Sequence, residues 1–282
     1  MAHVEPMKQN FLSRGLSALI LFIPLILGAP VAKAQTYESV INAQLLPGWR
    51  MADGSHMAAL ELDLDSGWKT YWRSPGDVGI PPQFDWRGSR NLSGIEISWP
   101  TPKQMDQGGI TTIGYSGKVT LPLKLTPTRN GKNIRLKGIL NLGVCREVCV
   151  PVNVTVSADL PRKVKKPDPR IAAALADRAY TAKEAGVSHV SCVLSPGANG
   201  ELKLRAEVTM PKIGGHELAI VETDNPQVWV APSKTRRSGN LIIAETELVH
   251  VEGRSFAVNR SGLRITVLGK SKAVDIQGCP AG

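Results

Sequence analysis

Apolar and polar residues alternate along much of this chain, in short runs broken by turn formers. Residues 57–64 settle into Leu60-Glu61-Leu62-Asp63-Leu64 and lead into Asp65-Ser66-Gly67. Ile95-Glu96-Ile97-Ser98-Trp99 alternates and stops at Pro100. Residues 119–125, 134–142, 152–156, 202–208 and 263–267 repeat the pattern, and 227–230 and 241–244 are shorter apolar runs. Period two with β-branched residues predicts strands. Residues 83–86 follow Pro81-Pro82 and read as an edge strand, because proline cannot donate to a ladder. Residues 101–117, with Gly108-Gly109, read as a loop. Short strands with turns at regular spacing predict β-sandwiches, and the fold class is mainly β.

One stretch departs from the period of two. Asp168-Pro169 supplies a helix N-cap and a first-turn proline. Ile171, Leu175, Ala179 and Ala182 keep one face at helical spacing, and Gly186 marks the end. Before it, Pro161-Arg162-Lys163-Val164-Lys165-Lys166-Pro167 has the composition of a solvated connector. The expected organisation is a signal peptide at 1–34, a sandwich at 35–158, a linker with helix at 159–187 and a second sandwich-like domain at 188–282. No sequence repeat relates the two halves.

The N-terminus carries the signal-peptide pattern. Lys8 and Arg14 precede the apolar run at 16–27, and Ala32-Lys33-Ala34 offers a small-x-small cleavage site. The run is short for a spanning helix and holds Pro24. Cleavage after Ala34 leaves 31 Lys and Arg against 23 Asp and Glu, a net charge of +8. No membrane span is expected in the mature chain. The positive balance suits anionic surfaces or acidic partners, or simply a basic solvated surface. No arginine-rich run interleaved with aromatics points to nucleic acid.

Export places the four cysteines where disulfides persist. Cys145 and Cys149 sit in Gly143-Val144-Cys145-Arg146-Glu147-Val148-Cys149-Val150-Pro151, between two predicted strands. On one straight strand they would lie roughly 13 Å apart, beyond disulfide reach. They can bond only if the chain reverses at Arg146-Glu147-Val148. So short a ring removes little entropy from the unfolded chain, and a tight bond is easier to reduce. If these two form one unit, Cys192 and Cys279 remain, closing a loop of about 88 residues that the chain-entropy model makes strongly stabilising. The expectation is a structural Cys192–Cys279 bond and an exchanging Cys145/Cys149 pair. Arg146 would favour a thiolate and Glu147 oppose it, so the attacking sulfur is not readable. The competing readings are two inert disulfides in a binding or adaptor module, and a copper-handling protein that uses the reduced Cys145/Cys149 pair as ligands. His56 with Met51 and Met57 is the soft donor set available for Cu(I), without a methionine repeat behind it. No closed metal site and no cofactor are expected.

Three segments resemble, in this order, the N-terminal periplasmic domain of the thiol:disulfide interchange protein DsbD. They are Asp63-Leu64-Asp65-Ser66-Gly67-Trp68-Lys69-Thr70-Tyr71, then Gly114-Tyr115-Ser116-Gly117 leading to Leu121-Pro122, and the cysteine pair followed by proline. The resemblance covers residues 37–158. The whole is also similar to the longer N-terminal regions of copper-tolerance thiol reductases. It implies an immunoglobulin-like sandwich with a reversible Cys145–Cys149 disulfide and protein-disulfide reductase-like chemistry. It also implies a periplasmic location. The implied partners are thioredoxin-like oxidoreductases, which serve disulfide isomerisation and cytochrome c biogenesis, or a membrane thiol reductase. A capping loop would fall at 104–113, with Asp106 as its acid. Gly108-Gly109 stands where the family cap has an aromatic residue, which leaves Trp68, Tyr71 and Trp72 as candidate shields. Their competing role is sandwich core. The sequence carries neither the multi-helix membrane domain nor the thioredoxin-like domain of that family. The expectation is therefore a separate electron-relay protein.

Overall fold

The computed structural model describes residues 40–198 and 200–282. The expected signal peptide lies outside the described residues. Residues Thr36–Gly282 form one compact unit.

Ten strands build the first sandwich: β1 (Ile41–Arg50), β2 (His56–Leu64), β3 (Lys69–Gly76), β4 (Gln83–Asp85), β5 (Gly94–Ile97), β6 (Lys103–Gln107), β7 (Ile110–Ser116), β8 (Lys118–Thr126), β9 (Ile134–Cys145) and β10 (Cys149–Leu160). One sheet runs β1-β2-β8-β5 and the other β10-β9-β3-β7-β6, with β4 also on β9. The alternation read from the sequence is what closes the sandwich. Leu60, Leu62, Leu121, Leu123, Leu136 and Leu140 are buried between the sheets, and their chain neighbours point outward or into the second face. The antiparallel arrangement with one core-facing side per sheet is the immunoglobulin-like architecture expected.

Residues 101–117 differ from the expected loop. They form the β6–β7 hairpin, paired from Lys103↔Gly114 to Gln107↔Ile110, with Gly108 and Gly109 at positive φ in its tip. The two glycines are the turn that lets the strands reverse, and Gly114 lets them pack. A Cβ on Gly114 would stand 2.9 Å from Met105 Cε and closer still to Thr70 O. The polar residues between them hid a strand pair of weak alternation.

The helix is shorter than its spacing suggests. α1 (Pro169–Ala176) starts where expected, with the Asp168 carboxylate accepting from Arg170 N–H at 2.9 Å. It stops at Asp177 because tertiary bonds take over. Asp177 O accepts from Thr101 N–H at 2.7 Å and from Thr101 Oγ1 at 2.8 Å, and Arg178 bridges Pro100. Tyr180 and Thr181 then enter a sheet as β11 (Tyr180–Thr181). Ile171 and Leu175 pack with Leu46, Met57 and Ala59 on the outer face of β2, while Ala179 and Ala182 join other clusters.

The second sandwich comprises β11 with β12 (His189–Pro196), β13 (Leu202–Thr209), β14 (Leu218–Glu222), β15 (Val228–Val230), β16 (Lys234–Ser238), β17 (Leu241–His250), β18 (Arg264–Leu268) and β19 (Ala273–Gln277). Its sheets run β11-β19-β18-β14 and β12-β13-β17-β15, with β16 also on β17. Cys192 and Cys279 are bonded and almost fully buried. The two sandwiches share core: Ile220, Leu268 and Ala273 belong to the first sandwich's hydrophobic cluster. No helix among the described residues is long and apolar enough to cross a membrane.

Candidate functional site

β9 and β10 form an unbroken ladder of twelve residue pairs, from Leu160↔Ile134 to Cys149↔Cys145. The last pair is the disulfide, with Cα atoms 4.1 Å apart across the Arg146-Glu147-Val148 turn. The reversal inferred from spacing is therefore the tip of a long hairpin. Its two sulfurs are not equivalent. Cys145 is completely buried, whereas Cys149 is exposed.

β3 lies against the same end of β9, pairing Lys69 with Cys145 and Thr70 with Val144. Thr70 Oγ1 donates to Gly143 O at 2.9 Å and anchors the crossing. Strand alternation then sorts the aromatic run. Trp68 and Trp72 belong to the cluster between the sheets. Tyr71 faces the opposite way, onto the disulfide: its hydroxyl lies 2.9 Å from Cys145 Sγ and 3.2 Å from Cys149 Sγ. Tyr71 is only 1% exposed. The guanidinium of Arg146 sits 5.5 Å above the Trp68 ring and bonds Glu147 at 2.7 Å. That bond holds the exposed Glu147 carboxyl below its ordinary range. The opposed charges beside Cys145 thus pair with each other.

Two glycines make the cover over Tyr71 possible. A Cβ on Gly143 would stand 2.6 Å from Ile80 Cβ and 3.2 Å from Tyr71 Cδ2. A Cβ on Gly79 would stand 2.9 Å from Tyr71 Cδ1. The segment after β3, through Gly79 and Ile80, therefore lies directly on the ring that touches the sulfurs. Glycine inside a strand marks such a close backbone approach, and Gly143 was the sequence signal for it.

The hairpin at 104–113 meets the site at one remove. Lys69 Nζ donates to Asp106 O at 3.2 Å, and the Asp106 carboxylate accepts from Gly109 N–H within its own turn. Partial burial lowers the Lys69 pKa, and Asp106 partly offsets this. The lysine is the ladder partner of Cys145, so its charge favours an anion there.

The second sandwich reaches the same strand. Arg73, two residues beyond Tyr71, forks onto Glu222 with both bonds at 2.9 Å and also reaches Thr266 Oγ1. Its guanidinium stacks 3.9 Å over the Trp72 ring. Beside this clamp, a cleft of about 740 Å³ opens between Pro75, Gly79 and Pro81 on one side and Val221, Trp229 and Pro232 on the other. Nothing in the sequence pointed to this contact, since its partners are separated by 149 positions.

Two of the soft donors have partners within the fold. His56 is buried, with Nε2 2.6 Å from Pro47 O. Met51 Sδ accepts from Ser55 Oγ. Burial lowers the His56 pKa, which the Pro47 bond opposes. Among the described residues no three His, Cys, Asp or Glu side chains gather as a metal site.

Fold and site together define a class: paired β-sandwiches with a disulfide at the tip of one core hairpin. Residues 42–161 match the family model described as thiol:disulfide interchange protein DsbD, N-terminal. The match spans the first sandwich, which is therefore similar to the DsbD N-terminal family. The N-terminal periplasmic domain of ScsB from Proteus mirabilis aligns over 86% of this chain and 92% of its own, with a TM-score of 0.58 and 24% identity. That likeness extends the shared fold across both sandwiches. The reduced DsbD N-terminal domain of Neisseria meningitidis aligns over 46% of this chain and 93% of its own, with 16% identity and a TM-score of 0.27. No curated protein matches the chain.

Proposed function

We propose that this protein is a periplasmic thiol–disulfide interchange protein that relays electrons through Cys145 and Cys149. The observation that carries the reading is the asymmetry of the bond: Cys149 is an exposed residue tied to a fully buried Cys145, with the Tyr71 hydroxyl on both sulfurs. Exchange needs one reachable sulfur and one good leaving group.

In the loading step, a thiolate of a reduced dithiol donor attacks Cys149 Sγ. The donor–Cys149 bond forms, the Cys145–Cys149 bond breaks, and its electron pair leaves on Cys145 Sγ. The Tyr71 O–H donates to that thiolate, and Lys69 supplies positive charge beside it. The donor's second thiolate then attacks its own mixed disulfide and expels Cys149. The donor ends oxidised and the hairpin ends as a dithiol. In the unloading step Cys149 attacks the disulfide of an oxidised client, and Cys145 resolves the mixed disulfide. Thioredoxin-like oxidoreductases and a membrane thiol reductase are the donors and clients that suit this chemistry. Cys192–Cys279 stays closed throughout.

Thiol trapping across a glutathione series tests the reading. Cys145–Cys149 is expected to open at a clearly higher potential than Cys192–Cys279. A Cys145→Ser variant is expected to hold a mixed disulfide through Cys149, and Cys149→Ser to trap far less through the buried Cys145. If both disulfides resist reduction equally, the protein is an adaptor with two inert bonds.

A further inference from the structure

The end of the first sandwich opposite the disulfide is a cluster of unpaired cations. Three separate segments are gathered there by backbone bonds. Arg50 is the staple: its N–H donates to Val164 O at 2.7 Å, and its guanidinium donates to Lys132 O, also at 2.7 Å. This holds the connector, with exposed Arg162, Lys163, Lys165 and Lys166, against the β8–β9 turn, with exposed Arg129 and Lys132. Asn133 Oδ1 accepts from Arg162 N–H, and Asn91 Nδ2 donates to Arg129 O and Asn133 O. Beside the turn, Arg90 bridges Arg135 at the start of β9.

Among the described residues none of these eight cations makes an ion pair; unpaired cations of the second sandwich, such as Lys203, Lys212 and Lys234, are spread over separate segments instead of being gathered at one end. Asp159 stands opposite Arg135 in the ladder, and Asp53 lies in the neighbouring β1–β2 turn, where it pairs with Lys124; these two acids leave the eight cations positive on balance. Like charges held together without counter-charges repel, and an arrangement that keeps them so is relieved by an anionic partner.

We infer that this cluster is a docking face for anionic phospholipid. Two features favour a lipid surface over one acidic protein. The charges ride on long flexible stems from several segments, which suits a laterally uniform field better than one fixed acceptor. Val164, 40% exposed, stands between the lysines as an apolar contact for the headgroup–acyl boundary. The geometry sets an orientation. β9 carries the chain from the cluster to the disulfide in eleven steps, roughly 36 Å at about 3.3 Å each. A molecule seated on its basic end presents Cys149 away from the lipid.

The test uses the chain from Gln35 onward, which spans the compact unit. It is sedimented with vesicles of phosphatidylglycerol and phosphatidylcholine, or of phosphatidylcholine alone, at low and physiological salt. Binding is expected to the anionic vesicles only, weakening as salt rises. Lys163→Ser/Lys165→Ser/Lys166→Ser is expected to lose at least about tenfold in affinity. Because these side chains are exposed, the variant should keep wild-type thiol exchange in solution, which also reports that it is folded. A control, Lys203→Ser/Lys212→Ser/Lys234→Ser, removes equal charge from the second sandwich and should bind like wild type. The inference is overturned by absent binding, by equal binding to neutral vesicles, or by equal loss in the control. Capture by heparin or polyglutamate with no vesicle binding would also overturn it. These outcomes are independent of whether Cys145–Cys149 exchanges.

Discussion

The two disulfides occupy opposite extremes of one protein. Cys192–Cys279 spans 87 positions, joins β12 of the second sandwich to the C-terminal tail, and is buried at both residues. Cys145–Cys149 spans four positions, closes a hairpin that its own ladder already holds, and joins a buried residue to an exposed one. The first bond closes a long loop and ties down a tail that Arg260, Leu263 and Cys192 also hold through backbone bonds. The second closes a ring that the ladder already holds, and the Tyr71 hydroxyl lies on both its sulfurs. Such a contrast is what the proposed division between a stabilising bond and an exchanging one requires.

The largest expected effect sharpens that contrast directly. Replacing Cys192 and Cys279 by serine should cost about 4–5 kcal/mol in urea unfolding, from the chain-entropy model for a loop of this length. The same change at Cys145 and Cys149 should cost about 2 kcal/mol or less by that model. Equal losses would erase the distinction.

A smaller effect tests whether the second sandwich supports the exchange end. Glu222→Gln keeps the shape of the clamp and leaves the Arg73 guanidinium, 17% exposed, without its carboxylate. The expected cost is about 2 kcal/mol, below the ~3–5 of a fully buried pair. Reduction of Cys145–Cys149 by dithiothreitol should quicken as the segment around Gly79 and Ile80 loosens. The rate at Cys192–Cys279 should not change. Equal acceleration of both would mean general loosening instead.

The smallest effect concerns Tyr71. Its hydroxyl, donated to a thiolate, favours the charged form and lowers the thiol pKa. Tyr71→Phe should therefore raise the apparent pKa of the reduced pair by roughly one unit, read from iodoacetamide alkylation against pH. Stability should change by less than about 1 kcal/mol. An unmoved profile would reduce Tyr71 to packing.

How much of this was readable from the sequence depends on range. The cysteine turn was readable because spacing and strand geometry leave one way to close it. The sandwich class was readable from alternation at 57–64, 119–125 and 202–208. The β6–β7 hairpin was not, because its residues alternate weakly and its glycines resemble a loop. The helix is shorter than the sequence suggests because Ala179 and Ala182 keep helical spacing while the backbones of Asp177, Arg178, Tyr180 and Thr181 are claimed by Thr101, Pro100 and β19. In Trp68-Lys69-Thr70-Tyr71-Trp72 the aromatics fall on both faces, so the residue meant for sulfur could not be told from core. Register against β9 decides it. The Arg73–Glu222 clamp was invisible, since no local pattern announces a partner so far along the chain.

The twelve-pair ladder has a further consequence for turnover. Both cysteines are the final rung of a structure whose other rungs do not depend on the sulfur bond. Opening that bond frees no loop and requires no refolding, so reorganisation during a redox cycle is small. The freed sulfurs also stay face to face at high effective concentration, and any oxidant that captures one of them will be answered at once by the other. Under the proposed relay, the dithiol is then a short-lived charge on a rigid terminal, handed on at the next encounter rather than stored.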